Sequence, residues 1–191
     1  YGLEKYETQA DWPDPRLRPT RHHLRAGNGL TVDPPEADEG ADSFFQHPVS
    51  GVCTQSTSQW TAGITESIPC TNDNRLNEAT GVNYTTAPLE RDLILNGPVA
   101  ARLWLSTSAS DAVVSVRLTD VAPDGTSREL SGGWLAASFR KLDRRKSRRV
   151  RGKLLQPWHP FTRESVRPVE ADEPMRLDVE VFPVNAVIQK G

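Results

Sequence analysis

With 191 residues and a formal net charge of −2, the chain is long enough for one domain with a sizeable core. It carries no standing excess of Lys and Arg with which to grip a polyanion. Hydrophobic residues make up 36 % of it, and no apolar run approaches the length of a membrane-spanning helix. Neither nucleic acid nor membrane is therefore expected as a partner, and the whole of 1–191 reads as a single domain.

The first segment, 1–35, is rich in Pro, Arg and Asp and reads as a wrapping arm with the first strands. Trp12-Pro13 and Pro15 favour extended backbone, and Ala26-Gly27-Asn28-Gly29 supplies a turn. A strand is expected over Arg21–Arg25, pairing across that turn with Leu30–Val32. Residues 36–83 form a long loop region, acidic through Asp42, with a short strand expected over Ser43–Gln46. This region holds both cysteines, Cys53 and Cys70. Two readings of them stay open. A loop-closing disulfide would imply a secreted or cell-envelope setting, whereas free buried thiols would fit the cytoplasm as well.

From Tyr84 onward, apolar and polar positions alternate, the period of half-buried strands. Strands are expected over Arg91–Leu95 and Val99–Thr107, separated by a turn at Asn96-Gly97-Pro98. Others are expected over Ala112–Val121, then after Pro123-Asp124-Gly125 over Arg128–Leu130 and Trp134–Phe139. Met175–Phe182 alternates until Pro183, which is expected to end it. Between these, Lys141–Lys153 packs Lys141, Arg144, Arg145, Lys146, Arg148, Arg149, Arg151 and Lys153 around a single acid, Asp143. No aromatics interleave these charges, so the run reads as a solvated, mobile insertion. No segment sustains a helical period. The fold class is all-β, an antiparallel β-sandwich or jelly roll resembling galactose-binding domains, expected to lack its final strand.

Chemistry is sparse. No Gly-x-Ser-x-Gly elbow occurs, so an α/β-hydrolase nucleophile is missing. His22 and His23 are adjacent and point to opposite faces of a strand, which is unsuited to sharing a metal ion. Asp111, Asp120 and Asp124 sit at strand ends and turns, where Asp stabilises the backbone without calcium. Neither metal nor cofactor is expected. Pro157-Trp158-His159-Pro160-Phe161 is a stiff segment that displays aromatics, suited to a pocket wall or to the closed end of a sandwich.

Tyr84-Thr85-Thr86-Ala87-Pro88-Leu89, Gly97-Pro98-Val99, Ala101-Arg102-Leu103-Trp104-Leu105-Ser106-Thr107, Val116-Arg117-Leu118-Thr119-Asp120-Val121, Gly133–Arg140 and Met175-Arg176-Leu177-Asp178-Val179 occur in that order. The series resembles the C-terminal domain of X-Pro dipeptidyl-peptidase and cocaine-esterase-like (CocE/NonD) serine hydrolases, and Trp12-Pro13 is similar to that domain's opening segment. The resemblance implies a parent with a Ser-Asp-His triad on an α/β-hydrolase domain, a helical cap, and this jelly roll packed on both. The triad then lies outside this chain, and no catalytic residue transfers to any position here. In such enzymes the jelly roll helps wall the substrate pocket. The matching stretch is Val52–Ile64, with Trp60 the expected contact and Trp158 and His159 further candidates. A homo-oligomer remains open. The competing reading is a carbohydrate-binding module with exposed, coplanar aromatics among Trp60, Trp134 and Trp158.

Overall fold

A computed structural model describes residues 2, 6, 8–47, 55–65, 67–68 and 71–191, and the side chains of 55, 56 and 59 are not included in that description. Cys53 and Cys70 lie outside the described residues. Contacts gather into two compact units, each discontinuous in sequence. One comprises Tyr1–Pro19, Ile94–Leu118 and Leu130–Ala186, and the other Thr20–Leu93, Thr119–Glu129 and Val187–Gly191. The architecture is an all-β antiparallel sandwich with a few short helical turns.

The strands in chain order are β1 (His23–Arg25), β2 (Gly29–Thr31), β3 (Leu93–Leu105), β4 (Val113–Val121), β5 (Ser127–Ala136), β6 (Arg148–Val150), β7 (Lys153–Gln156) and β8 (Met175–Ile188). β1 pairs with β2, β3 with β8, β4 with β5 and β6 with β7. β1 and β2 meet in the register His23↔Thr31, Leu24↔Leu30, Arg25↔Gly29, so the expected first hairpin forms, one or two residues shorter at its ends. The β4–β5 turn closes through Ala122 N–H to Thr126 O (2.9 Å), with Gly125 at φ 84.

In the first unit the core is Leu135, Ala137, Met175, Leu177 and Val179, flanked by Ala101, Leu103, Leu105, Val114, Val116, Phe139 and Val169. Except for Val169, which lies in the loop before β8, these are the alternating positions of four strands and the turn that follows β5. The sequence period and the buried face therefore coincide.

Several expected boundaries move. Asn96-Gly97-Pro98 is not a turn, because β3 runs straight through it. Gly97 suits this position because its φ of 140 lies in a region that L side chains rarely adopt, and the Leu17 side-chain tip of the arm fills the space a Cβ would take. Pro183 does not end β8. Phe182 and Pro183 are both exposed, the buried positions change phase from Val181 to Val184, and the strand continues to Ile188. A proline is tolerated where its missing N–H faces no ladder partner. Arg128–Leu130 and Trp134–Phe139 fuse into β5 followed by a 3-10 turn over Ala137–Phe139. Gly133 permits this continuity, since any Cβ there would meet Glu180 O of β8 at 1.8 Å.

Ser43–Gln46 forms no strand, and Phe44 and Phe45 stand exposed. The loop region instead contains two short helices, α1 (Gln55–Trp60) and α2 (Arg75–Glu78). The basic insertion is folded, with β6 and β7 forming an antiparallel hairpin inside it.

Candidate functional site

The three candidate wall residues fall in different settings. Trp60 ends α1 in the second unit and is 88 % exposed. Thr61 N–H and Gly63 N–H return to Thr57 O (3.0 Å) and Ser58 O (2.9 Å), which closes the helix directly after it. Ala62 and Gly63 take the left-handed backbone that such an ending requires, at φ 51 and φ 84. The Thr61 hydroxyl adds bonds to Thr57 O and Ser58 O. A large indole is thus held out into solvent on a short, well-closed turn, with exposed Ile64 four residues on.

Trp158 and His159 lie in the first unit. Trp158 is 49 % exposed, and its backbone is fixed on both sides: its N–H donates to Ser147 Oγ (3.0 Å) and its carbonyl accepts from Asp143 N–H (2.9 Å). His159 is only 6 % exposed. Its Nδ1 lies 3.1 Å from Lys141 O and its Nε2 lies 2.8 Å from Asp178 O. With a backbone carbonyl at each nitrogen, His159 offers none to a substrate or a metal. It works as a clamp that ties the aromatic segment to β8.

Beneath that clamp lies an ion cluster that the sequence reading missed. Asp178 Oδ1 accepts from Arg102 Nε at 2.9 Å, and Oδ2 accepts from Arg176 Nε at 2.9 Å and Nη2 at 2.7 Å. The half-exposed guanidiniums flank a nearly buried carboxylate and satisfy both of its oxygens, the condition for keeping such a charge inside. Arg176 and Asp178 are two apart on one strand, hence on one face. That signal was legible, but the cross-strand partner Arg102 was not, because strand pairing over a long sequence separation leaves no local mark.

Asp111 behaves as a turn residue. Its carboxylate accepts from Ala112 N–H (2.8 Å), Ser138 N–H (3.0 Å) and Ser138 Oγ (2.6 Å). Burial is the largest single effect and raises its pKa, and these bonds together with the Arg140 charge outweigh it to leave the pKa lowered. Asp124 accepts from Thr126 N–H at 2.9 Å in the β4–β5 turn. Among the described residues no cluster of His, Cys, Asp and Glu is arranged to hold a metal ion, and no serine or threonine hydroxyl is hydrogen-bonded to a histidine. Trp104 and Trp134 are exposed on the outer faces of their strands. Trp134 meets Phe182 edge-on, at 6.0 Å and 81°, which is not the coplanar platform a sugar-binding face needs.

The family described as the X-Pro dipeptidyl-peptidase C-terminal non-catalytic domain matches residues 2–191. The chain belongs to this family. As a member of the X-Pro dipeptidyl-peptidase C-terminal domains it is similar to a Mycobacterium bovis protein whose name assigns it, provisionally, to the serine esterases: 27 % identity over 187 residues, 98 % of this chain and 29 % of that protein. It is also similar to the cocaine esterase of a Rhodococcus species, 26 % identical over 152 residues, covering 73 % of this chain and 26 % of the esterase. The domain thus spans less than a third of the length of these relatives. Two solved structures share its fold. An aminopeptidase from a marine-sediment thaumarchaeon aligns over 100 % of this chain and 31 % of its own (TM-score 0.70, 19 % identity). An α-amino acid ester hydrolase aligns over 90 % and 27 % (TM-score 0.60, 20 % identity).

Proposed function

We propose that this domain is the accessory part of a serine acyl hydrolase. In this reading it packs on the α/β-hydrolase and cap domains of the same polypeptide and lends side chains to the wall of their substrate pocket. The observation that carries the reading is Trp60, a large indole 88 % exposed on a rigidly closed turn. Burying such a ring is worth several kcal/mol of contact, which a domain packed over it would gain. Trp158 and His159, which lie in the first unit, are given no place in that wall: His159 is buried and fixes the Trp158 segment through two backbone carbonyls. The reaction is cleavage of an ester or amide through an acyl-enzyme whose nucleophile and base come from outside this chain. Relatives named as esterases favour an ester, and the family's name favours an X-Pro peptide.

Trp60→Ala in the full-length protein is expected to raise KM several-fold while leaving the unfolding midpoint within a degree or so. Unchanged KM with normal turnover would sink the pocket-wall role. A secreted setting goes with a Cys53–Cys70 bridge. If the bridge forms, Cys53→Ser costs on the order of 2–5 kcal/mol, whereas two titratable thiols in the unreduced protein would rule the bridge out.

A further inference from the structure

The Lys141–Lys153 run holds eight cations against one acid in a chain whose net charge is −2. In the fold its backbone is ordered. The Asp143 carboxylate gathers Arg145 N–H (2.9 Å) and Lys146 N–H (3.1 Å), and Ser147 donates both its N–H and its hydroxyl to Asp143 O. The β6–β7 hairpin follows, with Arg151 and Gly152 left-handed at its tip (φ 49 and φ 78). Arg151 Nε and Lys153 Nζ tie that tip to the arm through Leu17 O (3.1 Å) and Pro19 O (2.9 Å). Bonds to neutral carbonyls fix these side chains without compensating their charge. Among the described residues, none of the eight cations forms an ion pair. Holding so many like charges on a fixed backbone costs self-repulsion, which an anionic partner relieves.

The fold also supplies what the run lacks in sequence. Trp158 is bonded to the same turn, and Lys146 Nζ lies 5.5 Å from its ring centroid. Three residues on, Phe161 is 60 % exposed at φ 52, a backbone region that bulky residues rarely adopt. We propose that this face, the cationic hairpin with Trp158 and Phe161 beside it, binds the surface of a bilayer containing anionic phospholipid. A nucleic acid would need free ring faces for base stacking. Lys146 covers the face of Trp158, and the Phe161 ring packs against Phe139 (5.6 Å) and His159 (5.9 Å). A seat at headgroup level needs only cations and exposed ring edges. No spanning segment is required. The expectation of no membrane partner rested on spanning length, and attachment to a surface is a different mode.

The test is co-sedimentation of the full-length protein with phosphatidylcholine vesicles, with and without phosphatidylglycerol, at low and high salt. Pelleting is expected only with phosphatidylglycerol, and salt should abolish it. Arg144→Gln, Arg145→Gln and Arg148→Gln remove cations whose side chains make no hydrogen bond to any of the described residues. At about fivefold per cation near an anionic surface, the triple variant should bind about 100-fold more weakly with an unchanged unfolding midpoint. Should the triple variant misfold, Arg148→Gln alone is measured, with about a fivefold loss expected. Lipid-independent pelleting, wild-type binding by the folded variant, or tighter binding to a single-stranded oligonucleotide than to the anionic vesicles would each overturn the proposal.

Discussion

Asp14, Glu39 and Asp73 each hold a pKa of about 2 in the folded chain. The main cause is in each case a side-chain hydrogen bond from one arginine: Arg16, Arg25 and Arg75 respectively. Backbone N–H groups add to it, at Arg16 for Asp14, Ala26 for Glu39 and Ser127 for Asp73. Because the folded values lie below the unfolded ones, the unfolded chain takes up protons first on acidification. The stability these groups contribute is whole above about pH 4 to 4.5 and is lost as pH falls toward about 2. Replacing all three by Asn or Gln should flatten the acid limb of denaturant-measured stability across that window. An unchanged slope in the variant would show that other groups drive acid unfolding. Gly133 makes a separate case. Its would-be Cβ meets backbone on β8, which cannot step aside as a side-chain tip can. Gly133→Ala should cost about 3 kcal/mol or more, read as a fall in the unfolding midpoint. A loss below about 1 kcal/mol would mean that the two strands slide apart easily.

At the scale of elements, Leu177 tests whether β8 carries the core. It is fully buried among Leu135, Met175 and Val179, so Leu177→Ala should cost about 2–5 kcal/mol, measured by chemical unfolding. A cost under about 1 kcal/mol would place the core elsewhere. The alternation that identified Ala101-Leu103-Leu105, Val114-Val116 and Leu177-Val179 was readable because it is local and has a period of two. Strand ends were read wrongly where a residue's local habit was overruled by packing. Gly97 looked like a turn glycine but sits inside β3 at φ 140, and Pro183 looked like a terminator but sits at an exposed phase change. The helix ending at Trp60 was unreadable because six residues are too few to show a period. Of the candidate site, Trp60 and Trp158 are exposed side chains. Burial of His159 between two carbonyls was invisible, since both partners lie eighteen or more residues away.

For the molecule as a whole, the domain's membership in a non-catalytic family and its span of less than a third of its relatives make the central claim a division of labour. Under the proposed function, chemistry belongs to the rest of the polypeptide, and shaping of the pocket to this chain. The sequence could exclude an elbow serine by its motif, yet only folded geometry shows that the one buried histidine among the described residues is committed to backbone carbonyls. The most direct measurement is a side-by-side assay of this chain and the full-length protein against a nitrophenyl ester and an X-Pro nitroanilide, each with and without a serine-directed covalent inhibitor. Turnover by the full-length protein alone, blocked by the inhibitor, is the predicted result, and its preferred substrate separates esterase from peptidase. Turnover by the 191-residue chain on its own would contradict the account.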